Sequence, residues 1–211
     1  MIHARIQSHP SRAHLHQPLA DSLGLPTEIV IHESDPPSPW DGYRLCLSNL
    51  PDSSHLVVLQ DDATVCTNFA EAITEVARFN PDTPVVLFLA HLPRRTAKDA
   101  VKAMKSRQSY VQLFIRDFCP VVGMLWPTHK AHEFMEWTKS GRLPGQPNPR
   151  SDDAVVGRWM LTTKQTIRVT VPSLVQHLDQ EPSLIGKRAA WGRDRGRTAL
   201  FFAEDGMAYQ W

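Results

Sequence analysis

Two carboxylates close an apolar run. The segment VVLQDDATV, residues 57–65, carries Val57, Val58 and Leu59 into Gln60, Asp61 and Asp62. An unbroken apolar run of this length suits a strand buried on both faces. In open α/β sheets, ligands bind outside the carboxyl ends of the strands. Paired acids there are costly unless they meet water, a cation or a hydrogen-bond donor. Their hard oxygens suit magnesium or manganese. A plain polar turn, in which Asp is common, also accounts for them.

A second pair, Asp152 and Asp153, follows Ser151 in PRSDDAVVGRWM, residues 149–160. Ser151 is placed to cap a helix, and acids in a first helical turn complement the dipole. His177 lies in VPSLVQHLDQEPSLIG, residues 171–186, as a candidate ligand or a structural histidine. Gly123 interrupts an apolar stretch, which marks a bulge or a close backbone approach. Ser8, Pro10 and Arg12 follow the first apolar segment, and Arg44 lies beyond the Trp40 loop. Either arginine can pair with phosphate or serve as a solvated charge.

Two basic patches stand apart from the acids. One runs through Arg94, Arg95, Lys98, Lys102, Lys105 and Arg107, with Lys98, Lys102 and Lys105 at helical spacing. The other is Lys187, Arg188, Arg193, Arg195 and Arg197 beside Trp191. They suit a solvated helix face and tail, or a nucleic-acid track built from charge and an aromatic.

The elements that must position these residues can be read in outline. Strands are expected at residues 2–7, 28–32, 55–60, 84–90, 111–115, 121–126 and 166–171. Helices are expected at 11–23 with Pro18 a break, from Pro39 to 50, from Asn68 as cap to 79, at 96–107, from Thr128 to before Gly141, and at 152–161. Residues 141–150, GRLPGQPNPR, read as a functional loop. Alternating strands and helices in the first half predict an α/β domain with a mostly parallel central sheet flanked by helices.

The chain has 211 residues, 42% of them hydrophobic, which suits one domain with a sizeable core. Its formal net charge of +1 advertises neither nucleic acid nor membrane as a partner of the whole chain. Cys46, Cys66 and Cys119 form no C-x-x-C pair and read as buried free thiols. No leader-like segment or apolar run of the roughly 20 residues needed to cross a bilayer occurs, so a cytoplasmic monomer is expected.

Taken in order, these motifs resemble the GT-A glycosyltransferase core. LQDDATVCTNF is similar to a stretch of procollagen-type galactosyltransferases and small phage and bacterial relatives. The segment VPSLVQHLDQEPSLIG resembles their closing segment, and SHPSR after the first strand resembles their nucleotide-binding start. The likeness covers roughly residues 2–186. It implies a single Rossmann-like domain at 1–186, with a nucleotide-binding half at about 1–65 and an acceptor half at 66–186. Residues 187–211 are then a basic tail.

The resemblance implies a nucleotide-sugar donor, a UDP-sugar in the first instance, and a Mn2+ or Mg2+ ion held by Asp62 and His177. Asp61 would touch ribose or donor sugar, and Gly123 would let the backbone approach a sugar. Asp153, with Asp152 as the alternative, would be the base of an inverting transfer. Gln60 departs from the family's acidic residue, which weakens the charge available to a metal. The acceptor would be a hydroxyl, with a hydroxylated pyrimidine in bacteriophage DNA ranked ahead of protein or glycan. Two other classes share features of the chain: a nucleotidyltransferase, and a non-catalytic nucleic-acid-binding module.

Overall fold

The computed structural model describes residues 1–90, 95–114, 121–140, 151–178 and 198–203. Arg94, Cys119, the 141–150 loop and residues 187–197 and 204–211 of the tail lie outside the described residues.

Seven strands form one sheet in the order β2-β1-β3-β7-β5-β8-β6. These are β1 (Ile2–Ser8), β2 (Thr27–Ile31), β3 (His55–Gln60), β5 (Val85–Val86), β6 (Tyr110–Gln112), β7 (Gly123–Pro127) and β8 (Arg168–Thr170). A separate ribbon pairs β4 (Ala63–Val65) with β9 (Val175–His177). The helices are α1 (Ala13–Leu23), α2 (Pro39–Cys46), α3 (Phe69–Phe79), α4 (Arg95–Lys105), α5 (Thr128–Lys139) and α6 (Asp152–Thr163).

The apolar run of β3 is divided between two cores. Val57 and Leu59 pack with Leu19 and Leu23 of α1 and Phe69, Ile73 and Val76 of α3. Leu56 and Val58 face the other way, onto Tyr43 and Cys46 of α2, Phe134 of α5 and Trp159 of α6. Side chains alternate across a strand, so burial on both faces requires an apolar residue at every position. The second core is aromatic. Trp126 stacks on Phe134 at 5.1 Å and lies 5.5 Å from Trp159. Its indole N–H donates to the Tyr43 hydroxyl at 2.8 Å, which satisfies a polar group that would be costly to bury alone.

The sheet is mixed, which corrects the mostly parallel arrangement expected from the sequence. The pairs β1–β2, β1–β3 and β5–β8 are parallel. The pairs β3–β7, β5–β7 and β6–β8 are antiparallel. The alternation of strands and helices holds locally, but β7 enters the middle of the sheet running against both neighbours. Helical connections do not by themselves fix strand direction when strands are inserted out of sequence order. The expected strand at 84–90 also shortens to Val85–Val86, and the chain then bends so that Leu87 N–H donates to Gly123 O at 2.9 Å.

Local signals explain several boundaries. Ser38 accepts from Asp41 N–H and Pro39 opens α2. Ser151 accepts from Ala154 N–H and opens α6. Asn68 precedes α3 but has a left-handed φ of 57°, and its side chain makes no capping bond. Pro18 sits inside α1 without ending it. Cys46 and Cys66 are buried free thiols. Among the described residues no helix is long and apolar enough to cross a membrane.

Candidate active site

A cleft of about 200 Å³ opens at the carboxyl ends of β1 and β3. It is bordered by Pro37 and Ser38 before α2, by Pro39 and Gly42 within it, by the start of α6 and by His177 of β9. Both acidic pairs read from the sequence face it.

The first pair is built around Arg12. Its Nη1 donates to Asp61 Oδ1 at 2.7 Å and to Asp62 Oδ2 at 2.8 Å, and all three side chains are buried. Burial pushes the guanidinium pKa down, but the charge of Asp62 and the bonds from Asp61 outweigh it and hold it above its ordinary value. Asp61 Oδ2 also accepts from the Ser8 hydroxyl at 2.8 Å and from His9 N–H at 3.2 Å. Ser8 in turn contacts His16. Asp61 therefore ties the end of β3 to the turn after β1.

The ribbon brings the histidine into place. Ala63 pairs with His177, and Leu178 N–H donates to Asp62 O at 2.7 Å. His177 Nε2 consequently lies 3.7 Å from Asp62 Oδ2. These are the two expected metal ligands, but the same Oδ2 already accepts from Arg12. Among the described residues, no group of three or more His, Cys, Asp or Glu stands together to hold a metal ion. Among the described residues the expected donor set is therefore these two side chains, and a cation entering there would share Asp62 Oδ2 with Arg12.

The second pair opens α6. Asp152 is buried and Asp153 half-buried. Asp152 Oδ1 accepts from Asp153 N–H at 2.9 Å, and Asp152 Oδ2 accepts from the Gln60 amide at 3.3 Å. Asp153 Oδ1 accepts from Val121 N–H at 2.6 Å. Burial, followed by the charge of Asp153, pushes Asp152 up to about 8, against the donors from Asp153 N–H and Gln60. Burial pushes Asp153 up to about 6, opposed by Val121 N–H. The two titrate together, so they keep a shared proton far above the usual carboxylate range.

Other expected positions fall elsewhere. Arg44 is on the exposed side of α2, 3.5 Å from Asp41, outside the residues lining the cleft. Pro10 is exposed and opens a short 3-10 turn that carries Arg12 inward. A Cβ on Gly123 would meet Leu59 Cδ2 and Val175 Cγ2 at 2.9 Å. That glycine lets β7 pass beneath the ribbon. On α4, Arg95, Lys98, Lys102 and Lys105 are exposed, as is Arg107 beyond it. Arg95 and Lys102 lie 3.9 and 3.6 Å from Asp99.

The cleft also holds two residues the sequence reading passed over. Gln7 donates its amide N–H to Pro39 O at 2.7 Å, and its Oε1 is buried with no hydrogen-bond partner among the described residues. His32 Nε2 is in the same condition. Each is a single polar residue at a strand end, a signal too common to have singled them out.

No family model matches the chain, and no curated protein matches it. Solved structures resemble it at low identity. Residues 1–349 of TarS from S. aureus align at 10% identity with a TM-score of 0.48, covering 82% of this chain and 58% of that one. The A197 protein from STIV aligns at 15% identity with a TM-score of 0.48, covering 90% of this chain and 97% of that protein. Mouse xyloside xylosyltransferase 1 aligns at 12% identity with a TM-score of 0.41, covering 80% and 71%. At these scores the likeness carries no argument about chemistry. The fold and site define an α/β domain with a mixed central sheet flanked by helices and a doubly acidic cleft at its strand ends.

Proposed function

We propose that the cleft transfers a sugar from a nucleotide-sugar, a UDP-sugar in the first instance, to an acceptor hydroxyl. The observation that carries this reading is the meeting of two unlike acidic pairs in one cleft. Asp61 and Asp62 share the single positive charge of Arg12, whereas Asp152 and Asp153 hold protons tightly. Carboxyls whose proton affinity is raised toward neutrality by burial suit general acid–base work.

In the proposed step the acceptor O–H gives its proton to Asp153, with Asp152 sharing the proton inventory of the pair. The acceptor oxygen bonds to the anomeric carbon as the carbon–phosphate oxygen bond breaks. The electron pair leaves on the nucleoside diphosphate. The transition state has oxocarbenium character, as in glycoside hydrolysis. Arg12 and His177 flank the place where negative charge would develop, and Ser8 lies beside them. Attack opposite the leaving group inverts the anomeric centre.

The exposed basic residues of α4 support a polyanionic acceptor, such as DNA bearing a hydroxymethylated pyrimidine. The deciding experiment incubates the chain with nucleotide-sugars and acceptors and follows the products. Release of nucleoside diphosphate with glycosylated acceptor is expected, and D153N should lower the rate by roughly 10²–10⁴-fold. Pyrophosphate release would indicate nucleotidyl transfer. Duplex binding without turnover would indicate a binding module.

A further inference from the structure

Gln60 ends β3 in register with Gln7 of β1, on the sheet face covered by α2. Its amide is the described side chain that bonds Asp152, and it reaches across 92 residues of sequence to do so. Asp152 thus has one oxygen held by the helix's own Asp153 N–H and the other held by Gln60. A carboxylate is the residue type expected at position 60 from the resemblance. It could not donate there and would face a buried acid with its own negative charge.

We propose that Gln60 is the positioning residue of the acid pair: its neutral amide aims Asp152 into the cleft and limits the negative charge gathered there. The inference rests on reading Asp152 and Asp153 as the acid–base pair. Several groups contribute to the charge balance around that pair. Tyr43 and Cys46 lie beneath it on α2, and Asp61 and Asp62, offset by Arg12, lie at the strand end. His32 and His177 stand at the border of the cleft. Tyr43 and Cys46 are themselves pushed upward by burial and stay neutral at ordinary pH. Gln60 is therefore a side-chain donor that joins Asp153 N–H in offsetting the burial of Asp152 without adding a formal charge.

The test is a carboxyl-carbon NMR titration of Asp152 and Asp153 in the full chain, in the native protein, Q60M and Q60E, with folding checked by melting at pH 5. Q60M keeps the length and removes the donor, and is expected to raise the Asp152 midpoint by about one unit. Q60E adds a like charge and is expected to raise it further. With an acceptor in hand, Q60M should lower kcat at pH 7 and leave the donor KM unchanged, and raising the pH should restore part of the rate. Folded Q60M with unmoved midpoints overturns the proposal, and it decides the matter alone if Q60E does not fold. The titration needs no donor, so a chain that binds no nucleotide-sugar would overturn the transfer reading independently.

Discussion

Arg12 reaches Asp61 at 2.7 Å across 49 residues of sequence, and one nitrogen of the same guanidinium serves Asp62 at 2.8 Å. Breaking a buried ion pair by removing one partner strands the other charge, which costs about 3–5 kcal/mol. R12M should therefore lower stability by that order in urea unfolding. R12K should recover only part, because an ammonium lacks the planar fork. An R12M chain as stable as the native one would show that the two acids find compensation elsewhere.

The same arrangement governs metal response. A cation that binds the native state alone raises the melting temperature by mass action. Manganese or magnesium added to the chain alone should leave the melting temperature unchanged, and chelation should do the same. A rise of several degrees that D62N abolishes would reveal a donor set beyond Asp62 and His177.

Asp152 and Asp153 bind protons more tightly folded than unfolded, where a carboxyl titrates near 4. The folded state then holds more protons than the unfolded state as pH rises from about 4 to about 8. Stability from this pair falls across that window, at up to about 1.4 kcal/mol per pH unit for each differing proton. D152N should be near neutral in effect at pH 4 and increasingly stabilising toward pH 8 in thermal melts. A constant offset at all pH values would sink the assignment.

Gly123 has no room for a side chain. G123A would press Cβ to 2.9 Å from Leu59 Cδ2 and Val175 Cγ2, both on buried residues. Overpacking of this kind costs about 1–3 kcal/mol. The loss should appear as a lower denaturation midpoint, and L59A in the same chain should relieve part of the clash.

For a DNA acceptor, salt dependence is the sensitive readout. Each phosphate contact adds about 0.9 to the slope of log affinity against log salt. Replacing Lys98, Lys102 and Lys105 by Ala should flatten that slope by up to about three such contacts. An unchanged slope would take α4 out of the acceptor site.

Much of this frame can be read from local pattern. HLVVLQ marks β3 to its last residue, and Ser38 and Ser151 mark the starts of α2 and α6. Asp61 and Asp62 stand out because acids rarely end a buried strand, Asp152 and Asp153 because they open a helix after a Ser cap, and His177 because it stands beside an apolar strand. What escapes is long-range. PVVLFLA reads as a full strand, yet after Val86 the carbonyl of Leu87 turns to Leu174 and Val175 N–H, at the start of β9, and leaves β8. Strand direction around β7 depends on pairings tens of residues apart. Nothing local shows the bond from Arg12 to Asp61, because the two lie 49 residues apart in sequence. Gln60 looked like a lost ligand because its partner, Asp152, belongs to another element.

The position of β7 also bears on how the chain could be divided. Residues 1–65 contain three parallel strands, and β3 would be the outermost of them in a fragment cut there. Its 55–60 run would then present an unprotected apolar edge, with open N–H and C=O groups that invite pairing with another copy. In the whole chain β7 caps that edge through five paired positions, from His55↔Pro127 to Leu59↔Gly123. The strand that spoils a parallel sheet thus serves as an internal guard against self-association, and a split after residue 65 should give aggregates in place of a soluble fragment.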